Sequence, residues 1–416
     1  MDSGSTAFAP LRIPNFRYYY LAGFVNLMGT TMALVALTFA VLEVSDSASA
    51  LGIVLAANSI PMVVFLLFGG VIADRLPRVL ILRAGNLVLA ATQGSVAALV
   101  ITGTAELWML VVLEVIHGLT MAMVFPALAA LTPQLVPREM LQQANVLQSM
   151  YRGALRVVGP TVGALLVVTV GPGWALAVDA LTWLVASLIL VLVKLPGPAR
   201  DAERTSTLTE LREGWSIFVG TTWLWVVVLA FGVLNAIHWG ALMTLGPALA
   251  KETIGEQGWG YVLSAEAVGL LLMTLIMLRR RLERPLLVGM LGMAFLGVPM
   301  VVFGSAPTLL PVVIAMFVAG AGIELFSLGW NLAMQENIEE RMLSRVYSYD
   351  MLGSFVAIPV GQIAYGPLGE AFGYREVLVV SGIVYAAVAL LALTSASVRN
   401  LARAPVPAVG AGSERR

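Results

Sequence analysis

The sequence predicts an all-α membrane protein, with twelve transmembrane helices in two pseudo-symmetric bundles of six. Composition, span count and a faint internal repeat predict it. Hydrophobic residues make up 59 % of the 416-residue chain and charged residues 12 %, with a mean hydropathy of +0.91. Soluble domains carry about 25 % charge. A window of about 19 residues marks apolar stretches at 18–43, 51–73, 79–103, 107–131, 143–169 and 173–194, then at 222–249, 258–278, 285–304, 307–333, 343–367 and 373–397. Each is long enough to cross a hydrocarbon core of about 30 Å. Turn residues separate them, as in Ser45-Asp46-Ser47, Thr102-Gly103-Thr104, Gly171-Pro172-Gly173 and Gly304-Ser305-Ala306-Pro307.

The repeat divides the chain. Arg138-Glu139-Met140-Leu141 aligns with Glu340-Arg341-Met342-Leu343, and the same offset pairs Gly118 with Gly320 and Gly159 with Gly361. Ala73-Asp74-Arg75-Leu76-Pro77 lines up with Arg281-Leu282-Glu283-Arg284-Pro285. The halves are expected at 1–194 and 222–401, joined by 195–221, with a disordered tail at 402–416. In the join, Thr207 and Glu210 have capping-box spacing. Leu208, Leu211, Trp215 and Phe218 follow on one helical face, suited either to the membrane surface or to packing on the bundle.

Charge placement gives topology. The formal net charge is zero, which argues against nucleic acid as a partner. Cations crowd the connections on one side, from Arg12 and Arg83 through Lys194 and Arg279 to Arg416. Only Lys251 and Arg375 fall on the other side, while Arg152 and Arg156 lie within a span. The crowded side, with both termini, is expected in the cytoplasm. The absence of cysteine excludes disulfides and thiol chemistry, and two histidines are too few for a zinc or haem site. No nucleophile–base pair or phosphate loop stands out, so an enzyme is the least fitting class and no cofactor or metal is expected. The polar start, Met1 to Pro10, does not read as a cleavable signal.

The connection between spans 2 and 3, Gly69-Gly70-Val71-Ile72-Ala73-Asp74-Arg75-Leu76-Pro77-Arg78, holds a carboxylate and two guanidiniums and must be a turn at a membrane face. An ordinary charged turn is one reading. The order of residues also resembles the signature loop of the major facilitator superfamily, G-x-L-A-D-R-x-G-R-[RK]. Gly70, Ala73, Asp74, Arg75 and Arg78 match, Ile72 stands for Leu, and Pro77 replaces the second Gly. The resemblance implies the major facilitator fold and a gating role for Gly70, Asp74, Arg75 and Arg78. In it, Asp74 braces the start of span 11, and the place of Asp350, two turns into that span, implies a share in that gate.

Span 5 contains Gly159-Pro160-Thr161-Val162-Gly163-Ala164, which resembles the exporter motif G-x-x-x-G-P-x-x-G-G. Gly159, Pro160 and Gly163 match; Ala164 replaces the last Gly, and Leu155 stands where the leading Gly would be. Proline removes a hydrogen bond and kinks the helix, while the glycines admit a close neighbour. A generic kinked, closely packed helix would look the same. Span 4 departs from the drug-antiporter pattern R-x-x-Q-G: Glu114-Val115-Ile116-His117-Gly118 keeps the Gly alone. Glu114 and His117 share a face, and charges inside a span need a partner or a wet cavity. Arg156 on span 5 is the expected partner of Glu114, as a structural ion pair or as one that proton binding breaks. Glu324 on span 10 is the second candidate proton carrier, and Asp179 is expected to brace span 6, on Arg156.

In the superfamily, spans 1, 4, 7 and 10 line the cavity. That implies cavity positions for Asn26, Glu114, His117, Asn235, His238 and Glu324, with Met121, Met123, Phe125, Met243, Phe326 and Trp330 as a compliant apolar wall. Such residues also simply pack. The chain is most similar to the macrolide-efflux and enterobactin-exporter-like branch. The implied function is export of hydrophobic or amphipathic small molecules by proton antiport, from a monomer in the cell inner membrane. An importer of a polar metabolite and a non-transporting sensor are the alternatives. The cation asymmetry makes the first prediction. A cysteine at residue 200 should resist impermeant reagents in sealed cells, and one beside Lys251 should react; the reverse pattern overturns the topology.

Overall fold

The computed structural model describes residues 8–75, 77–129, 131–137, 140–194, 215–277, 279–280 and 282–402. Among them, twelve helical spans are long and apolar enough to cross a bilayer. Hydrocarbon offers no hydrogen bonds, so each segment must satisfy its own backbone, and the helix is the local solution. Spans 1 to 6 are Pro14–Ser45, Ala48–Arg75, Arg78–Ile101, Leu107–Ala129, Leu141–Val170 and Pro172–Leu190. Spans 8, 10 and 12 are Gly255–Met277, Leu309–Asn337 and Tyr374–Ala392.

Spans 7, 9 and 11 are interrupted. Span 7 runs Thr222–Ile237, turns π-helical over His238–Leu245 and finishes as Gly246–Glu252. Span 9 is Pro285–Ala294 and Gly297–Ser305; span 11 is Glu340–Phe355 and Ile358–Phe372. Proline explains the last two breaks. Pro299 and Pro359 lack a donor and crowd the carbonyls four residues back, Phe295 and Phe355, where the preceding segments end. Pro61 and Pro160, by contrast, lie inside continuous helices.

Span 1 packs on spans 5 and 6, span 2 on span 4, and span 3 on spans 4 and 6. In the second half, span 10 packs on spans 8 and 9, and span 12 on spans 9 and 7. The two bundles repeat each other at individual glycines. A Cβ on Gly118 would run into the Asn58 carbonyl of span 2, and one on Gly320 into the Glu266 carbonyl of span 8. Gly159 meets Thr31 of span 1 as Gly361 meets Ala236 of span 7.

Call the side where span 1 begins and span 12 ends the near side. The halves join along spans 5 and 8 and, toward the far side, along spans 2 and 11, where Gly52 abuts the Gln362 carbonyl and Gly366 abuts Ser49. A latch closes the far end. Glu370 on span 11 accepts from Ser47 Oγ (2.7 Å), Ser49 Oγ (2.8 Å) and Ser49 N (3.1 Å). These bonds place an anion at the N-terminus of span 2, where the helix dipole favours it. Lys251, at the end of span 7, donates to the Leu42 carbonyl (3.0 Å) and to Asp46 Oδ1 (2.8 Å).

Asp46 is exposed, so its ion pair contributes little; the bonds to Glu370 hold the latch. With a cysteine at Ser59, which bonds Gln362 at the seam, Glu370→Gln should raise labelling from the far side several-fold, and Asp46→Asn should leave it nearly unchanged. Lys251 keeps the Asp46 carboxyl below the usual range, by its hydrogen bond and then its charge. The pair is therefore intact through the usual carboxylate range and lost only as pH falls below it, so Asp46 should give the labelling no pH dependence between about pH 5 and pH 8.

Candidate functional site

Span 5 builds the seam. One of its faces lies on span 1: Tyr151 packs edge-on against Tyr20 (5.0 Å) and Phe24 (6.0 Å), Gly159 abuts Thr31 and Gly163 abuts Met32. The other face lies on span 8, where Thr161 and Ser264 share a hydrogen bond of 2.7 Å and Gly260 receives Pro160 and Ala164. Arg152 and Arg156, both exposed, occupy the arc between the two faces. The charge of Arg156 reaches Glu266 on span 8 and Glu324 on span 10, with no close ion pair to either among the described residues. Glu324 is 9 % exposed and accepts from Thr274 Oγ1 at 2.8 Å. A fixed cation on one half thus faces two protonatable acids on the other.

Glu114 is elsewhere. It is 2 % exposed and its Oε2 accepts from Asn58 Nδ2 at 2.7 Å, so the pair expected with Arg156 is not formed. The cause is packing: Gly118 draws span 4 onto span 2, whereas Gly159 and Gly163 draw span 5 onto span 1. Asp179 does not meet Arg156 either. It accepts from Gln93 Nε2 (3.0 Å) and Trp183 Nε1 (3.3 Å) in the core of the first bundle, with His117 edge-on to Trp183 at 6.2 Å. Asp179 Oδ1, Gln93 Oε1, Asn26 Oδ1 and His117 Nδ1 are buried there without a hydrogen-bond partner among the described residues. Such atoms are costly in a core kept for packing alone.

The wall residues do not line one common cavity. Asn26 and Met121 come together with Tyr19, Asn86, Phe125 and Trp183 around a cavity of about 70 Å³ inside the first bundle. Phe326 stacks on Phe231 (4.2 Å) and Trp330 (5.9 Å), and Trp330 Nε1 donates to Asp350 Oδ2 (3.0 Å), which makes a packed knot in the second bundle. Asn235 donates to the Ser354 carbonyl (2.8 Å) beside the break in span 11. His238, edge-on to Trp239, opens the π-helical segment that also holds Met243. The side chains of Gly70-to-Arg75, Asp74 included, lie outside the described residues, as does the capping box; Arg78 starts span 3. Trp215 stacks on Phe218 (5.7 Å), and both rings pack on Tyr349 of span 11.

Glu266 is legible in the sequence as an acid within span 8, but helical spacing alone neither brings it to Arg156 nor marks Asn58 or Thr274. A signal existed. The offset that pairs Ala73 with Arg281 also pairs Asn58 with Glu266, so the repeat places an acid at the helix contact that Asn58 occupies in the first half.

A family model described as transmembrane secretion effector matches residues 5–408. The chain is 23 % identical to macrolide efflux protein A of Streptococcus pyogenes, over 91 % of this chain and 95 % of that one. It is 27 % identical to the enterobactin exporter EntS of Shigella boydii, over 86 % and 85 %. In fold it is similar to the nucleoside transporter NupG, with a TM-score of 0.75 at 11 % identity over 91 % and 99 %. A bacterial homologue of the lysosomal transporter Spinster, solved inward-facing, gives 0.71 at 15 % identity over 96 % and 100 %. With its twelve spans and its paired bundles, the chain belongs to the transmembrane secretion effector family and is a multi-pass membrane transporter of the major facilitator superfamily.

Proposed function

We propose that this transporter exports hydrophobic or amphipathic small molecules from the cytoplasm, exchanging them for protons by alternating access. The observation that carries the reading is the seam between spans 5 and 8: Thr161 bonded to Ser264 and Gly153 against Leu271 bring Arg156 on the first half level with Glu266 on the second, and its charge acts on Glu266 and Glu324. Alternating access moves the halves relative to each other. The attraction between Arg156 and the two carboxylates then differs between the inward- and outward-open states. A proton that binds the acids more tightly in one state shifts the equilibrium toward that state. Substrate export follows if the other state holds substrate better.

Direction rests on two supports. The cation-rich near side is cytoplasmic by the positive-inside rule, and the named relatives are efflux proteins. The latched far side corresponds to a chain that takes up its cargo from the near side. Glu114, bonded to Asn58 in the first bundle, supports that half and stands second as a proton site.

The test is an accumulation screen in a pump-deficient host, covering macrolides, catecholate siderophores and aromatic dyes, followed by export from proteoliposomes under an imposed pH gradient. Glu266→Gln and Glu324→Gln should each reduce uphill export by about tenfold or more while leaving substrate binding in place. Arg156→Ala should harm folding or transport more than the double change Arg156→Ala/Glu266→Gln, because an unpaired buried acid is the costly state. Full pH-driven export by both glutamine variants would overturn the coupling.

A further inference from the structure

Arg152 lies one turn, about 6 Å, to the near side of Arg156, and the coupling above does not use it. Its side chain is exposed, and among the described residues no carboxylate pairs with it. Instead it is aimed. Arg152 Nη2 donates to Gln148 Oε1 at 3.2 Å, and Gln148, only 5 % exposed, donates its Nε2 to Thr132 Oγ1 at 3.0 Å. Because the amide nitrogen is engaged by the threonine, the carbonyl end faces the guanidinium and fixes its direction.

The arc that Arg152 shares with Arg156 narrows toward the far side, where Gly159 and Pro160 press directly on spans 1 and 8. At Arg152 the flanking wall is aromatic: Tyr151, Tyr20 and Phe24 form an edge-on cluster, and the charge of Arg152 reaches Tyr19. A guanidinium within a span is expensive unless it meets a wet cavity or a ligand. Guanidinium is also the side chain best shaped for carboxylate, sulfonate and phosphate, and ring edges suit an aromatic body beside it.

We propose that Arg152 is the anion-binding residue of the substrate site, so that the exported amphipath is an organic anion with an aromatic or apolar body. The proposal rests on the transport reading above and names its substrate class. It also connects cargo to coupling: an anion held on Arg152 sits one turn from Arg156 and competes with Glu266 and Glu324 for that charge.

The test uses two fluorescent probes with one skeleton, 1-pyrenebutyrate and neutral 1-pyrenebutanol, binding to the purified full chain in phosphatidylcholine nanodiscs. The wild type should hold the anion about tenfold more tightly than the alcohol. Arg152→Ala should bring the ratio near one, and Arg152→Lys should restore most of it. If Arg152→Ala loses both probes through misfolding, Arg152→Gln provides the same comparison. An anion preference that survives removal of the charge overturns the proposal, as does a wild type without preference. A preference that disappears when phosphatidylglycerol replaces part of the lipid also overturns it, assigning Arg152 to a lipid headgroup. No gradient is needed for binding, so a chain that shows the expected ratios yet fails to export would refute the transport reading alone.

Discussion

Every backbone polar group inside the bilayer must find its partner within the protein, and most of this structure is a consequence. Helices solve the problem in their middles and leave it open at their C-terminal carbonyls. Basic side chains answer there. Arg83 on span 3 donates to the carbonyls of Leu190, Val191 and Val193 at the end of span 6. Arg399 reaches the Leu393 carbonyl just past span 12. The two cations on the far side follow the same rule: Lys251 reaches Leu42 at the end of span 1, and Arg375 donates to Gly304 and Ser305 at the end of span 9. Their departure from the cation-rich side is explained by local need, since a cation at a helix C-terminus bonds free carbonyls and complements the dipole.

Where helices meet, small residues decide which ones meet. With lipid as apolar as the side chains, close approach of backbones replaces hydrophobic burial as the source of specificity. Gly118 and Gly320 repeat one contact in the two bundles, and Gly159 and Gly361 another. Those contacts determine the electrostatics. They carry Glu114 to Asn58 and leave Arg156 facing the second half, so the charge pairing is a result of packing and not its cause.

This ordering explains what the sequence made legible. Span number, boundaries to a few residues and the two-bundle repeat followed from hydropathy and turn residues, because those are local properties. Arg156 and Glu324 were recognisable as charges within spans for the same reason. Their partners were not, because a partner depends on which faces touch, and helical spacing describes one helix at a time. Glu114 and Arg156 are opposite charges in successive spans, yet that says nothing about which faces of those spans touch. The break in span 11 carried a proline signal that was equally present at Pro160; the difference is that span 5 absorbs its proline in a continuous helix.

The breaks and the latch belong together. Lys251 sits on Gly246–Glu252, beyond the π-helical part of span 7, and Glu370 on Ile358–Phe372, beyond the break in span 11. The π-helical part of span 7 packs on the second segment of span 11, with Gly240 against the Tyr365 ring and the Gly361 carbonyl. A π-helical stretch and a proline break are weak points of an otherwise stiff rod. They fall between the latch and the near-side portions of the same spans, where Asn235 ties span 7 to the Ser354 carbonyl of span 11. The bonds to Ser47, Ser49 and Asp46 thus lie beyond the two interruptions, and the Asn235 tie lies before them. A proline break leaves carbonyls without an intrahelical donor, and Asn235 satisfies one at the span 11 break, that of Ser354. A side-chain amide at this position therefore keeps the break from leaving that carbonyl unpaired in the membrane, which is the constraint that governs the rest of the chain.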